Sequence, residues 1–138
     1  MREIREVIFR GKRADNGEWV EGDLIQVGLH DKPKFASIMP QTPVSCVYGV
    51  LAETIGQFTG LTDRNGKRIF EGDICRFKRF NDIYIGKIVF NVKTASFIMW
   101  YQPIVGAYGE KATQKMLLSV CDGIEVIGNK HDNPELLR

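Results

Sequence analysis

Apolar and polar residues alternate along this chain in short runs, each bounded by glycine, proline or asparagine. A period of two marks a strand with one buried face. Ile4 to Arg10 is the first such run, with Val7, Ile8 and Phe9 among charged residues. Trp19-Val20 and Leu24-Ile25-Gln26-Val27 flank a second. Phe35 to Met39 lies among Pro33, Pro40 and Pro43, and proline cannot donate to a central ladder, so these five residues predict an edge strand. Val44 to Leu51 is β-branched and strand-like. Cys75 and Phe77 alternate with Arg76 and Lys78. The runs Ile83 to Phe90 and Ala95 to Tyr101 are the clearest strands of all, with Asn91 to Thr94 as the loop between them. Ile124 to Ile127 is the last strand, closed by Gly128-Asn129. Helical signals are sparse. Ala52 to Gln57 is too short to hold a helix alone, and Met116 to Val120 fits either one helical turn or a short strand. The tail places Asn133 as an N-cap and Pro134 at the first helical position, with Glu135 behind.

One spelling occurs twice. Phe9-Arg10-Gly11, Asn16-Gly17 and Glu21-Gly22-Asp23-Leu24 return as Phe58-Thr59-Gly60, Asn65-Gly66 and Glu71-Gly72-Asp73-Ile74, with one residue inserted. Asn-Gly predicts a type I′ hairpin turn, in which both residues take positive φ. Glu-Gly-Asp predicts a sharp corner that launches the next strand, glycine supplying the unusual φ and aspartate accepting backbone N–H groups. The two copies divide the chain into an N-terminal β lobe, residues 1–57, and a second β unit, residues 58–138. Two copies are too few for a solenoid.

Composition adds mainly exclusions. The 138 residues are 43% hydrophobic and 26% charged, ordinary for a globular chain. No apolar run reaches the roughly 18 residues of a membrane span. The charged start, Met1 to Glu6, lacks the apolar core of a secretory signal. Cys46, Cys75 and Cys121 are scattered and odd in number, which argues against a disulfide framework or zinc site and for small buried residues in a reducing cytoplasm. The net charge is only +2. Residues 1–57 carry net −1 and residues 58–138 net +3, so any basic surface belongs to the second half.

Several residues carry candidate chemistry. Glu21, Asp23, Glu71 and Asp73 would hold a hard cation or form an acid–base pair if they converged, but turn carboxylates more often serve backbone donors. Asp63-Arg64-Asn65-Gly66 opens like a calcium loop and then fails, since Gly66 is fourth and Glu71 ninth where the loop needs glycine sixth and glutamate twelfth. His30 and His131 have no local partner signature with a cysteine. Arg76, Lys78, Arg79 and Phe80, with Lys87 nearby, offer a nucleic-acid-binding stripe: as a strand, Arg76, Lys78 and Phe80 share one face. Such cations also discourage edge-to-edge strand pairing. Trp19 and Trp100 sit in apolar runs and read as core aromatics. Trp100, Tyr101, Ile104 and Val105 form an apolar strand exit that would serve as a subunit interface if exposed.

Three stretches then stand together: Gly56 to Ile74, Ile124 to Asn129, and Asn133 to Leu137. With Phe9 to Arg13 and Asn16 to Leu24 they closely resemble the YopX family of phage and prophage proteins. The resemblance spans nearly the whole chain, residues 28–45 and 102–118 being unmatched. It implies a mainly β architecture with an SH3-like barrel, placed here in the C-terminal half, with a related β N-terminal half and a short C-terminal helical turn. It implies residence in the cytoplasm of a bacterial host, and it brings no catalytic residue, cofactor or metal. The expectation is a non-enzymatic accessory protein that self-associates and binds a phage or host protein, with no membrane partner. A nucleic-acid-binding small barrel is the second reading.

Overall fold

Turn-forming residues separate eleven strands among the described residues: β1 (Phe9–Lys12), β2 (Trp19–Val27), β3 (Phe35–Met39), β4 (Tyr48–Val50), β5 (Gly56–Thr62), β6 (Arg68–Phe70), β7 (Asp73–Arg79), β8 (Asp82–Asn91), β9 (Ser96–Tyr101), β10 (Gln114–Leu117) and β11 (Glu125–Asn129). The computed structural model describes residues 5–27, 35–41, 46–79, 81–101, 114–117 and 123–137. The strands form two sheets, in the orders β4-β3-β2-β1-β5-β6 and β10-β9-β8-β7-β11. The chain is mostly β, as the alternation predicts. It divides into two compact units, Met1–Gly60 and Leu61–Arg138. No helix among the described residues is long and apolar enough to cross a membrane.

In the first unit, β2 changes partner midway. Trp19 to Gly22 pair with β1, and Asp23 to Val27 pair with β3. The change falls at Gly22, where a Cβ would lie 2.1 Å from the Met39 carbonyl oxygen. Only glycine admits that approach. Beyond β3 and β4 the chain curls back. Arg13 bridges Val50, the Leu51 N–H donates to the Lys12 carbonyl at 2.9 Å, and the Ala14 N–H donates to the Gly49 carbonyl at 2.9 Å. Ala36, Ile38 and Val50 are buried inside the curl, with Phe9, Val20, Leu24 and Ile55 packed on them. A 3-10 turn over Ala52–Thr54 follows. It is fixed by the Thr54 hydroxyl, which accepts from the Lys12 N–H at 2.9 Å and donates to the Leu51 carbonyl at 2.6 Å.

Three local expectations change here. The segment β3 is an interior strand, between β2 and β4. Pro40 lies just beyond its hydrogen-bonded stretch and does not exclude it from the ladder; Pro33 and Pro43 lie outside the described residues. The Asn-Gly turns are not type I′, because only the glycines, Gly17 (φ 74°) and Gly66 (φ 82°), take positive φ. At the second turn the Gly66 N–H donates to the Asp63 carbonyl at 3.0 Å and the Asp63 N–H to the Lys67 carbonyl at 2.7 Å. That is a three-residue loop whose glycine occupies the left-handed position. Finally, Glu21-Gly22-Asp23 lies in mid-strand and launches nothing.

The second copy does make a corner. Gly72 has φ 92°, its N–H donates to the Ile88 carbonyl at 2.8 Å, and its carbonyl accepts from Lys130 at 2.9 Å. Asp73 is 1% exposed and accepts the Phe70 N–H at 2.8 Å. The core of this unit gathers Ile69, Cys75, Phe77, Ile88, Met99, Tyr101 and Ile124. Fully burying a side chain such as Ile88 contributes about 1.5–3 kcal/mol. Phe77 stacks on Tyr84 at 5.1 Å, and Tyr101 meets Tyr84 edge-on at 5.0 Å. Gly86 makes room for them: a Cβ there would sit 2.5 Å from the Trp100 carbonyl oxygen and 2.7 Å from the Tyr101 Cβ. The strand order is open, with β10 and β11 at its ends; among the described pairings, no barrel closes. A bulge between Val126 and Gly128 bends β11, and a 3-10 turn over Pro134–Leu137 ends the fold. Asn133 caps it from the expected position, its carbonyl accepting the Leu136 N–H at 3.1 Å.

Candidate functional site

Alternation along β7 decides which side chains face outward. Cys75 and Phe77 are buried, whereas Arg76 and Lys78 are exposed. The register sets Arg76 opposite Ile85 and Lys78 opposite Ile83 on β8, and cross-strand partners share a face. Ile83 is 54% exposed and Ile85 38%. On the other flank, β11 brings Glu125 opposite Arg76. Their side chains form an ion pair at 2.7 Å, both partners reached by solvent.

The β5–β6 loop completes the site. Asp63 is 7% exposed, and its carboxylate accepts three backbone N–H groups: Asn65 at 2.8 Å, Lys67 at 2.8 Å and Val126 at 3.0 Å. The Arg64 N–H donates to the Ile124 carbonyl at 2.9 Å. The loop is thereby clasped onto the outer edge of β11, and Arg64 is carried to the mouth of a small cleft. Burial pushes the Asp63 carboxyl up, but the three N–H donors and the nearby Lys67 outweigh it and hold it below its ordinary value. The residue first met as a failed calcium ligand is thus the pin of the site. Its signal was present in the sequence, since aspartate opening a turn characteristically accepts the N–H two residues on.

The cleft has a volume of about 180 Å³ and is lined by Arg64, Arg76, Phe77, Lys78, Ile83, Gly123 and Glu125. Three cations and one carboxylate line it together with Phe77, whose side chain belongs to the core. Small-molecule and cofactor sites generally enclose about 300–1,000 Å³, so this one suits a side chain rather than a cofactor.

The other sequence candidates fall elsewhere. Lys87 lies on the same face two rungs beyond Arg76, half-buried, with its Nζ 4.5 Å from the centre of the Trp100 ring. Arg79 belongs to β7. Phe80, Ile104, Val105, His30 and Cys121 lie outside the described residues. Tyr101 is buried at 5% exposure in the aromatic core, so it and Trp100 point to opposite faces. Neither tryptophan is fully buried; Trp19 in the first unit carries the Arg10 guanidinium at 4.7 Å. Cys75 is buried and Cys46 partly exposed. No group of three or more metal-ligating side chains occurs among the described residues, Glu21, Asp23, Glu71 and Asp73 included.

The sequence matches the family described as YopX protein over residues 8–138. The chain belongs to the YopX family. Among solved structures, protein EF1440 from Enterococcus faecalis is similar, with 23% identity and a TM-score of 0.57 over 96% of this chain and 99% of that one. That likeness is one of fold. No curated protein matches the chain.

Proposed function

We propose that this YopX-family chain is a non-enzymatic phage or prophage accessory protein that acts in the host cytoplasm by self-association and by binding another protein. The observation that supports this reading is the outer face of β7 and β8. There Arg76 and Lys78 lie directly opposite Ile85 and Ile83, two isoleucines left open to solvent. Arginine is enriched at protein interfaces, and the two isoleucines give a partner apolar surface to cover. A small polar cleft built on a rigid sheet gives such a face a point of specificity.

A nucleic-acid reading draws support from the gathering of Arg64, Arg76 and Lys78 around one cleft. The one ring among the residues lining that cleft, Phe77, belongs to the core cluster, so it offers no platform for stacked bases. The protein-binding reading is therefore preferred. A tagged pull-down from phage-bearing cells, with and without nuclease, separates the two. Partner protein retained after nuclease supports the preferred reading. Capture that disappears with nuclease, and weakens steeply with salt, replaces it with the second. Light scattering across a concentration series tests self-association, and a monomer throughout removes that part of the proposal.

A further inference from the structure

The geometry points to the Arg64–Arg76–Lys78 cleft as a receptor for an acidic side chain on an extended, aliphatic-bearing segment of a partner protein. This rests on the protein-binding reading above and names the kind of partner. Charge complementarity carries it. Three cations face the cleft and one carboxylate, Glu125, answers them, which leaves a local excess of two positive charges. Among the described residues, Glu125 is engaged with Arg76 alone in an ion pair, and neither Arg64 nor Lys78 makes one. The volume, about 180 Å³, is that of a side chain. Ile83 lines the cleft and Ile85 lies two rungs further along the same face. A partner strand laid along β8 would therefore set its acid in the cleft and an aliphatic residue two positions on against Ile85, because residues two apart share a face.

Glu125 acts in this arrangement as an internal stand-in for the partner's carboxylate. Its pair with Arg76 is solvent-exposed, and such pairs are weak. An incoming carboxylate can share or take over the Arg76 guanidinium, forming charge-assisted hydrogen bonds of the strong kind. The stand-in keeps Arg76 oriented while the site is empty.

The test is fluorescence anisotropy at low salt with three labelled probes: a peptide of repeated Glu-Ser-Ile-Ser, in which Glu and Ile lie two apart on one face, its counterpart with Gln for Glu, and oligothymidylate. The Glu/Ile peptide binds, and the Gln counterpart binds about tenfold more weakly, as loss of a charge-assisted contact requires. Lys78→Glu and Arg64→Glu each weaken the Glu/Ile peptide by about tenfold or more, with unchanged thermal unfolding because both side chains are exposed. Glu125→Gln tightens binding severalfold, a change of sign that a merely structural role would not produce. Peptide binding indifferent to these variants overturns the assignment. Oligothymidylate binding more tightly than the peptide, and lost in the same variants, overturns it in favour of nucleic acid. The pull-down separates the two levels of the proposal: a protein captured equally by wild type and Lys78→Glu leaves the protein-binding reading standing and removes the cleft from it.

Discussion

Replacing Asp63 tests the architecture beneath the site. The carboxylate accepts three backbone N–H groups, two in its own loop and one on β11, and the residue is buried. Hydrogen bonds to a charged group are worth about 1.5–3 kcal/mol each. The Asn65 and Lys67 donors sit in an exposed loop and recover water when the acceptor is lost. The Val126 donor is half-buried and recovers less. Asp63→Ala should therefore cost about 3–4 kcal/mol, below the simple sum. Asp63→Asn is more discriminating. Its amide oxygen can serve the loop donors, but its NH₂ then faces the Val126 N–H, donor against donor, at a cost of about 2 kcal/mol.

The pH dependence has a definite sign. The folded carboxyl is held below its ordinary value, so its contribution is fully present above the unfolded value of about 3.9 and is lost as pH falls through the folded value. Urea titration at pH 7 and pH 3 checks both statements. The gap between wild type and Asp63→Ala should be largest at pH 7 and shrink at pH 3. An Asp63→Asn midpoint matching wild type at pH 7, or a gap that does not shrink in acid, would refute the clasp.

Three further outcomes follow from particular contacts. Gly86→Ala should destabilise by about 2–3 kcal/mol, since the added carbon meets the Trp100 carbonyl oxygen at 2.5 Å and overpacking of this kind costs that much; near-UV dichroism of the tyrosine cluster should fall with it. Thr54→Val should cost about 1–2 kcal/mol in urea melts, because the Lys12 N–H and the Leu51 carbonyl both lose their hydroxyl partner. Thiol labelling under native conditions should modify Cys46 readily and Cys75 only after unfolding, Cys75 being 0% exposed.

Much of the strand pattern was legible because period-two alternation needs only a local sequence. The runs around Phe77, Ile88 and Met99 declare their buried faces directly, and the loop at 91–94 separates β8 from β9 as the sequence predicts. Pairing is non-local and was less legible. Nothing near Phe35 to Met39 states that strands will flank it on both sides. The repeated Glu-Gly-Asp is more instructive, because the same three letters meet different physical needs. Gly22 must lack a Cβ so that the Met39 carbonyl can approach, with the backbone extended. Gly72 must reach φ 92° to turn a corner. A repeat in sequence predicted a repeat in shape, and the shape is not repeated.

The candidate site was half legible. Arg76 and Lys78 announce a charged face by alternation, and the structure places them together. Arg64 lies twelve residues before Arg76 in another element, and only the Asp63 clasp brings it to the cleft. Lys87 has the right charge and the right face, but its ammonium lies over Trp100.

Capture of another protein by the cationic, aliphatic face of β7 and β8 is the proposal on which the functional reading stands. The most direct measurement is a nuclease-treated pull-down from phage-bearing cells, comparing wild type with the double variant Arg64→Glu/Lys78→Glu and quantifying protein and nucleic acid in the same eluates. A protein partner should be enriched by wild type and lost from the double variant, with no nucleic acid retained. Equal recovery of that protein by both baits, or nucleic acid as the sole species distinguishing them, would contradict it.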